Sequence, residues 1–134
     1  MKILIFVVTL ILVVVPYPTL VAPEWSVLVV DGQSKPLSGV SVRESYQNYS
    51  LERTGHEVDI VTGDDGKVLF PAKRIWNNLL LRSIGFLGAL SGGVHASFGP
   101  HDYVVANGVS PVKNGYLEDW MGRPSKMSSV IVLR

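Results

Sequence analysis

Val27-Leu-Val-Val-Asp-Gly-Gln-Ser-Lys-Pro-Leu-Ser-Gly-Val-Ser-Val-Arg43 and Val61-Thr-Gly-Asp-Asp-Gly-Lys-Val-Leu-Phe-Pro71 are the two stretches whose reading decides the fold. In the first, an apolar run enters an Asp31-Gly32 turn, where Gly32 is available for positive φ. Pro36-Leu37-Ser38-Gly39 then feeds a second run that alternates apolar and polar residues. The second stretch repeats the logic, with Asp64-Asp65-Gly66 between two strand-like runs. Period-two patterning punctuated by Asp, Gly and Pro is the pattern of short, half-buried strands.

Working outward, strands are expected at residues 26–30, 40–44, 58–61, 67–70, 94–98, 102–106 and 129–133, with a polar loop over residues 45–55. Asn107-Gly108 and Asn114-Gly115 add further turn signals. Residues 74–90 depart from this pattern. Ile75, Trp76, Leu79, Leu80, Ile84 and Leu87 recur at three to four residues and predict a helix, which Gly85 and Gly88 weaken. Such a helix either caps an open end of the sandwich or faces a membrane or partner. The fold class is therefore all-β: a seven-stranded Greek-key sandwich with one inserted helical segment near residues 74–90.

The N-terminus is of another kind. Lys2 precedes an apolar run over residues 3–15, broken only by Thr9, and Pro16 and Pro18 end it. This is the pattern of a secretory leader helix. Thirteen helical residues reach about 20 Å, short of the roughly 30 Å hydrocarbon core. Leu20-Val21-Ala22 offers a small residue for cleavage, but Pro23 follows it. Two readings stay open: residues 1–22 as a cleaved signal peptide, or residues 3–22 as an uncut membrane anchor. Either puts the domain at residues 23–134 beyond the cytoplasmic membrane, periplasmic or secreted.

Lys and Arg total 12 against 11 for Asp and Glu, and Lys2 is the only charge in the leader. A balanced domain gives no electrostatic reason to bind nucleic acid or an anionic membrane. The chain has no cysteine, which excludes disulfides, thiolate catalysis and thiolate metal sites.

The run from Val29 through Pro36 and Gly39 to Val42, answered by Thr62-Gly63-Asp64-Asp65-Gly66-Lys67-Val68-Leu69-Phe70, resembles the carboxypeptidase regulatory-like domain. The resemblance covers residues 25–72 and implies a transthyretin-like, prealbumin-like sandwich of seven strands. Such modules serve as accessory domains or as free-standing exported proteins, so the resemblance carries fold more than activity. Together with the leader pattern, and with no Ser/His/Asp arrangement or phosphate-cradling glycine loop legible in the sequence, it points to an exported, non-enzymatic module that binds a protein or a cell-envelope component. Membrane contact is expected through the leader, and residues 76–90 are a second candidate for it.

Among side chains that carry chemistry, His95 and His101 flank the Gly99-Pro100 turn. With His56, and with Asp102 and Tyr103 nearby, they are candidate ligands for Zn, Cu or Fe, since neutral imidazole is a common ligand for all three. Turn histidines are also often merely solvated. The alternative function is thus a small metal-binding protein or metal-dependent enzyme. Intradiol dioxygenases, which the chain resembles around Gly39 and Asp64-Asp65-Gly66, hold ferric iron with two Tyr and two His, and Tyr46, Tyr49, His95 and His101 could imitate that set. The family's tyrosine segment and closely spaced histidine pair are absent. Tyr46 and Tyr49, in a segment rich in Tyr, Ser and Asn, are candidate partner-binding residues. Trp120, beside Gly122 and Pro124, is a candidate ligand contact or a core aromatic. Glu118-Asp119 is a poor acid–base pair, because neighbours on a strand point to opposite faces.

Overall fold

The computed structural model describes residues 1–107, 115–122 and 129–133. In chain order the elements are α1 (Lys2–Val14), β1 (Tyr17–Ala22), β2 (Trp25–Val30), β3 (Ser41–Asn48), β4 (His56–Val61), β5 (Lys67–Phe70), β6 (Lys73–Asn77), α2 (Leu79–Leu90), a 3₁₀ turn (Gly93–His95), β7 (Pro100–Asn107), β8 (Gly115–Trp120) and β9 (Val130–Val132). The chain is mostly β. One sheet has the order β5-β2-β9 and a second the order β4-β3-β7-β8. β9 runs parallel to β2, and the other pairings are antiparallel. A separate ribbon pairs β1 with β6.

Alternation along the strands makes this a sandwich. Trp25, Val27 and Val29 of β2 project inward with Val68 and Phe70 of β5 and Ile131 of β9. They meet Val42 of β3 and Val104 and Ala106 of β7 from the other sheet in one continuous apolar cluster. Two inner faces interdigitating in this way form the core of a β-sandwich.

The chain crosses between the sheets over Pro36 to Gly39, and this crossing is bonded to the turn after β4. The buried Thr62 hydroxyl donates to Leu37 O at 2.7 Å and accepts from the Val40 amide at 2.9 Å. The Thr62 amide donates to Val40 O, and the Gly39 amide donates to Thr62 O. Gly66 closes the same knot. Its φ is +72°, and an added Cβ would lie 2.8 Å from Val29 O and 2.9 Å from Pro36 Cβ. Glycine therefore meets both a conformational and a steric demand here. The stretches 27–43 and 61–71 are thus neighbours in space.

Several expectations are corrected. The segment 45–55 is not all loop, because β3 continues to Asn48 and pairs with both β4 and β7. Pairing on two sides overrides the low strand propensity of Ser, Gln and Asn. Ile75 and Trp76 belong to β6 rather than to a helix over 74–90, since β1 supplies a partner strand. Helix α2 starts at Leu79, with Asn78 Oδ1 capping the Leu81 amide at 2.9 Å. No strand forms at 94–98. Gly93 takes φ +59° and starts the 3₁₀ turn, while β8 follows β7 in the four-stranded sheet. After β2, positive φ falls on Ser34 (66°) rather than Gly32, because the Asp31 carboxylate accepts from the Gln33 and Lys35 amides and widens the turn.

Residues 3–14 are helical as expected, and β structure begins at Tyr17, ahead of the boundary drawn after Ala22. Pro18 is tolerated because β1 lies in a two-stranded ribbon. No helix among the described residues is long and apolar enough to cross a membrane. The turn signals at Gly108 and Asn114, and Pro124, lie outside the described residues, as do the side chains of Glu118 and Asp119.

Replacing Thr62 by Val keeps shape and burial but leaves the Leu37 carbonyl and the Val40 amide without their hydroxyl partner. Thr62→Val is expected to lower unfolding free energy by about 2 kcal/mol, and Thr62→Ser by less, because Ser keeps the hydroxyl. Urea denaturation of the two variants checks the order.

Candidate functional site

Strand register brings the scattered candidates to one end of the four-stranded sheet. His56 of β4 lies opposite Tyr46 of β3, Tyr46 opposite Asp102 of β7, and Asp102 opposite Trp120 of β8. Directly paired residues share a face, so these four form a row on the inner side. One step toward the core, the same face of β3 carries Glu44, which is fully buried. The β1–β6 ribbon covers this end and supplies Lys73.

Lys73 Nζ donates to Glu44 Oε2 and lies 4.9 Å from the centroid of the Tyr46 ring. Glu44 Oε1 accepts no hydrogen bond among the described residues. Burial raises the Glu44 pKa above its ordinary value, and the hydrogen bond and charge of Lys73 oppose that rise only in part. Burial, with the negative charges of Glu44, Glu52 and Asp102, likewise raises the Tyr46 hydroxyl. Asp102 is fully buried and Trp120 nearly so. Trp120, at the end of β8, thus backs the cluster.

The histidines are held by rings and carboxylates. His56 stacks on Tyr46 with centroids 5.2 Å apart, and its Nε2 lies 2.9 Å from Glu52 Oε1. His101 pairs in register with Gln47 and meets the edge of Tyr49 at 5.0 Å. His56 and His101 therefore point to opposite faces of the sheet. His95 ends the 3₁₀ turn, and its side chain is not among those described. Among the described residues, no group of three or more His, Asp or Glu is placed to hold a metal ion.

A groove opens beside this row. After Asn48 the chain makes a tight turn in which Asn48 Oδ1 accepts from the Ser50 amide and Glu52 Oε2 accepts from the Asn48 amide at 2.8 Å. The Ser50 hydroxyl accepts from the Gly99 amide, and the Tyr49 amide donates to Gly99 O, which ties the turn to the start of β7. Helix α2 lies against the turn so closely that a Cβ on Gly85 would sit 2.0 Å from Ser50 O. Between them is an open groove of about 540 Å³. Tyr49, Glu52 and Arg53 line it on the turn side, and Leu81, Ile84 and Ala89 on the helix side. Such a surface offers an aromatic ring, both signs of charge and an apolar wall.

Sequence reading did not single out Glu44 or Lys73. For Glu44 a signal was present: it shares strand parity with Val40 and Val42 and so faces inward. For Lys73 there was none, since the ribbon that delivers it depends on β1. Comparisons with protein-family models, with curated proteins and with solved structures find no match to this chain.

Two outcomes are expected. The folded-state pKa of Glu44 lies above the unfolded value of 4.5, so its contribution to stability is complete below that pH and is lost as pH rises through the raised value. Asp59, held low by its hydrogen bond from Arg43, acts oppositely, with its contribution lost only as pH falls below 3.8. Stability should therefore decline with rising pH above about 4.5, and Glu44→Gln should flatten that decline in urea titrations between pH 4 and 8. Gly85→Ala improves helix propensity by about 1 kcal/mol, yet the contact with Ser50 O should make the variant less stable in thermal melts.

Proposed function

We propose that this chain is an exported, non-enzymatic β-sandwich module that binds a protein or another cell-envelope component at the end of its four-stranded sheet. The observation that carries this reading is the groove between the Tyr49–Arg53 turn and α2, beside the Tyr46–His56 stack and the Tyr49–His101 edge contact. The turn is fixed by backbone and side-chain hydrogen bonds, so its exposed ring is pre-organised, which limits the ordering entropy of binding. Export rests on the apolar leader pattern ahead of the sandwich.

The resemblance to the carboxypeptidase regulatory-like domain fits this role. Setting the β1–β6 ribbon aside, the described residues leave a three-stranded and a four-stranded sheet, seven strands in all. The chain passes from one sheet to the other between β2 and β3, between β4 and β5, before β7 and again between β8 and β9, crossings that are compatible with a Greek-key sandwich. These features support a prealbumin-like sandwich whose extra ribbon and α2 are additions around the binding end.

A photo-crosslinking residue at position 49, in chain expressed in its own compartment, should give a discrete crosslinked product. The same residue at position 69, exposed on the other sheet, should give none. Equal labelling at both positions, or labelling at neither, would overturn the reading.

A further inference from the structure

We infer that α1 and α2 together form a seat that enters one leaflet of a lipid bilayer and holds the sandwich against the membrane surface. The starting point is a juxtaposition that the ribbon creates. Tyr17 pairs with Asn77, so α1 ends and α2 begins at the same end of the β1–β6 ribbon, and the two helices touch. Arg82 clamps this junction. Its guanidinium donates to Tyr17 O at 3.0 Å, its Nε donates to Asn77 O, and it lies 3.8 Å from the centroid of the Tyr17 ring.

The chemistry of the helices selects the occupant. Ile3, Leu4, Ile5 and Phe6 are consecutive and each more than half exposed. Four consecutive residues, about 100° apart, cover nearly the whole circumference of a helix. A protein groove covers one stripe of a helix, whereas an apolar surface on every side calls for lipid. α2 has no buried residue, and its Leu80 and Leu87, 53% and 64% exposed, lie two turns apart on one side. At 13 and 12 residues the helices reach about 20 Å, too short for the roughly 30 Å core but enough to lie slanted in one leaflet, with Lys2 and the N-terminal amine reaching back toward the headgroups. The residues at their roots fit that depth. Tyr17 follows α1, Trp76 precedes α2 and is 67% exposed, and Arg82 lies between them, as aromatic and cationic side chains do at the headgroup level. The seat also needs β1, so it belongs to a chain that keeps residues 1–22.

Tryptophan fluorescence isolates the contact, because Trp25 and Trp120 are buried at 2% and 9% exposure and Trp76 is not. The full chain is mixed with neutral phosphatidylcholine vesicles, plain or brominated on the acyl chains. The expected result is flotation that persists in high salt, with quenching that is strongest for bromines near the headgroups and disappears in Trp76→Phe. A Leu80→Glu, Leu87→Glu double variant should lose at least about tenfold in vesicle partition. Those two side chains are exposed, and the wild-type quenching needs no variant at all. A chain that does not float, that floats without Trp76 quenching (α1 alone in lipid), or whose double variant partitions unchanged overturns the inference. These vesicles contain no protein partner, so the outcome is independent of the groove and its crosslinking test.

Discussion

The sandwich depends on a crossing strand tied down at both ends. Pro36 to Gly39 carries the chain from one sheet to the other, and the hydroxyl of Thr62 is bonded to both sides of that passage. The crossing itself is largely exposed, but Val40 and Thr62, which hold it, are buried, and their backbone and hydroxyl groups need partners in the protein. Thr62 and Val40 supply those partners, and Gly66 lets the β5 turn approach Val29 and Pro36 without a side chain between them. With this knot closed, β2 and β3 are held in the two layers that the apolar cluster fills.

The inner space of the sandwich is divided by chemistry. Near the crossing it is lined by Val29, Val40, Val42, Ala106 and Ile131, which need only packing. Toward the far end of the four-stranded sheet it contains Glu44, Tyr46 and Asp102. A buried carboxylate is stable only beside a compensating charge or proton, and Lys73 brings that charge from outside the sandwich proper. The ribbon is thus more than decoration on the fold. It offsets the desolvation of Glu44, and through its other end it places α1 beside α2. Polar burial inside and apolar exposure outside are two consequences of one pairing, β1 with β6.

This arrangement also organises the surface. The groove forms where α2 leaves the ribbon and returns over the Tyr49–Arg53 turn, with Gly85 permitting the approach. The side of α2 away from the turn carries Leu80 and Leu87.

The sequence by itself determined the two-layer β scaffold, because strand alternation and the Asp, Gly and Pro turn residues act locally. Val27, Val29, Val40, Val42, Val68 and Phe70 could be assigned inward from parity alone, and the N-terminal helix from thirteen residues with a single interruption. Only tertiary structure decided the rest. Ser45 to Asn48 became strand because partners lay on both sides, and Ile75 and Trp76 because β1 came back to pair with β6. The convergence of His56, Tyr46, Asp102 and Trp120, and the separation of His56 from His101 across the sheet, follow from register between residues as far apart in the chain as Tyr46 and Asp102. Register is a property of pairing, and no local pattern encodes which strand will be the neighbour.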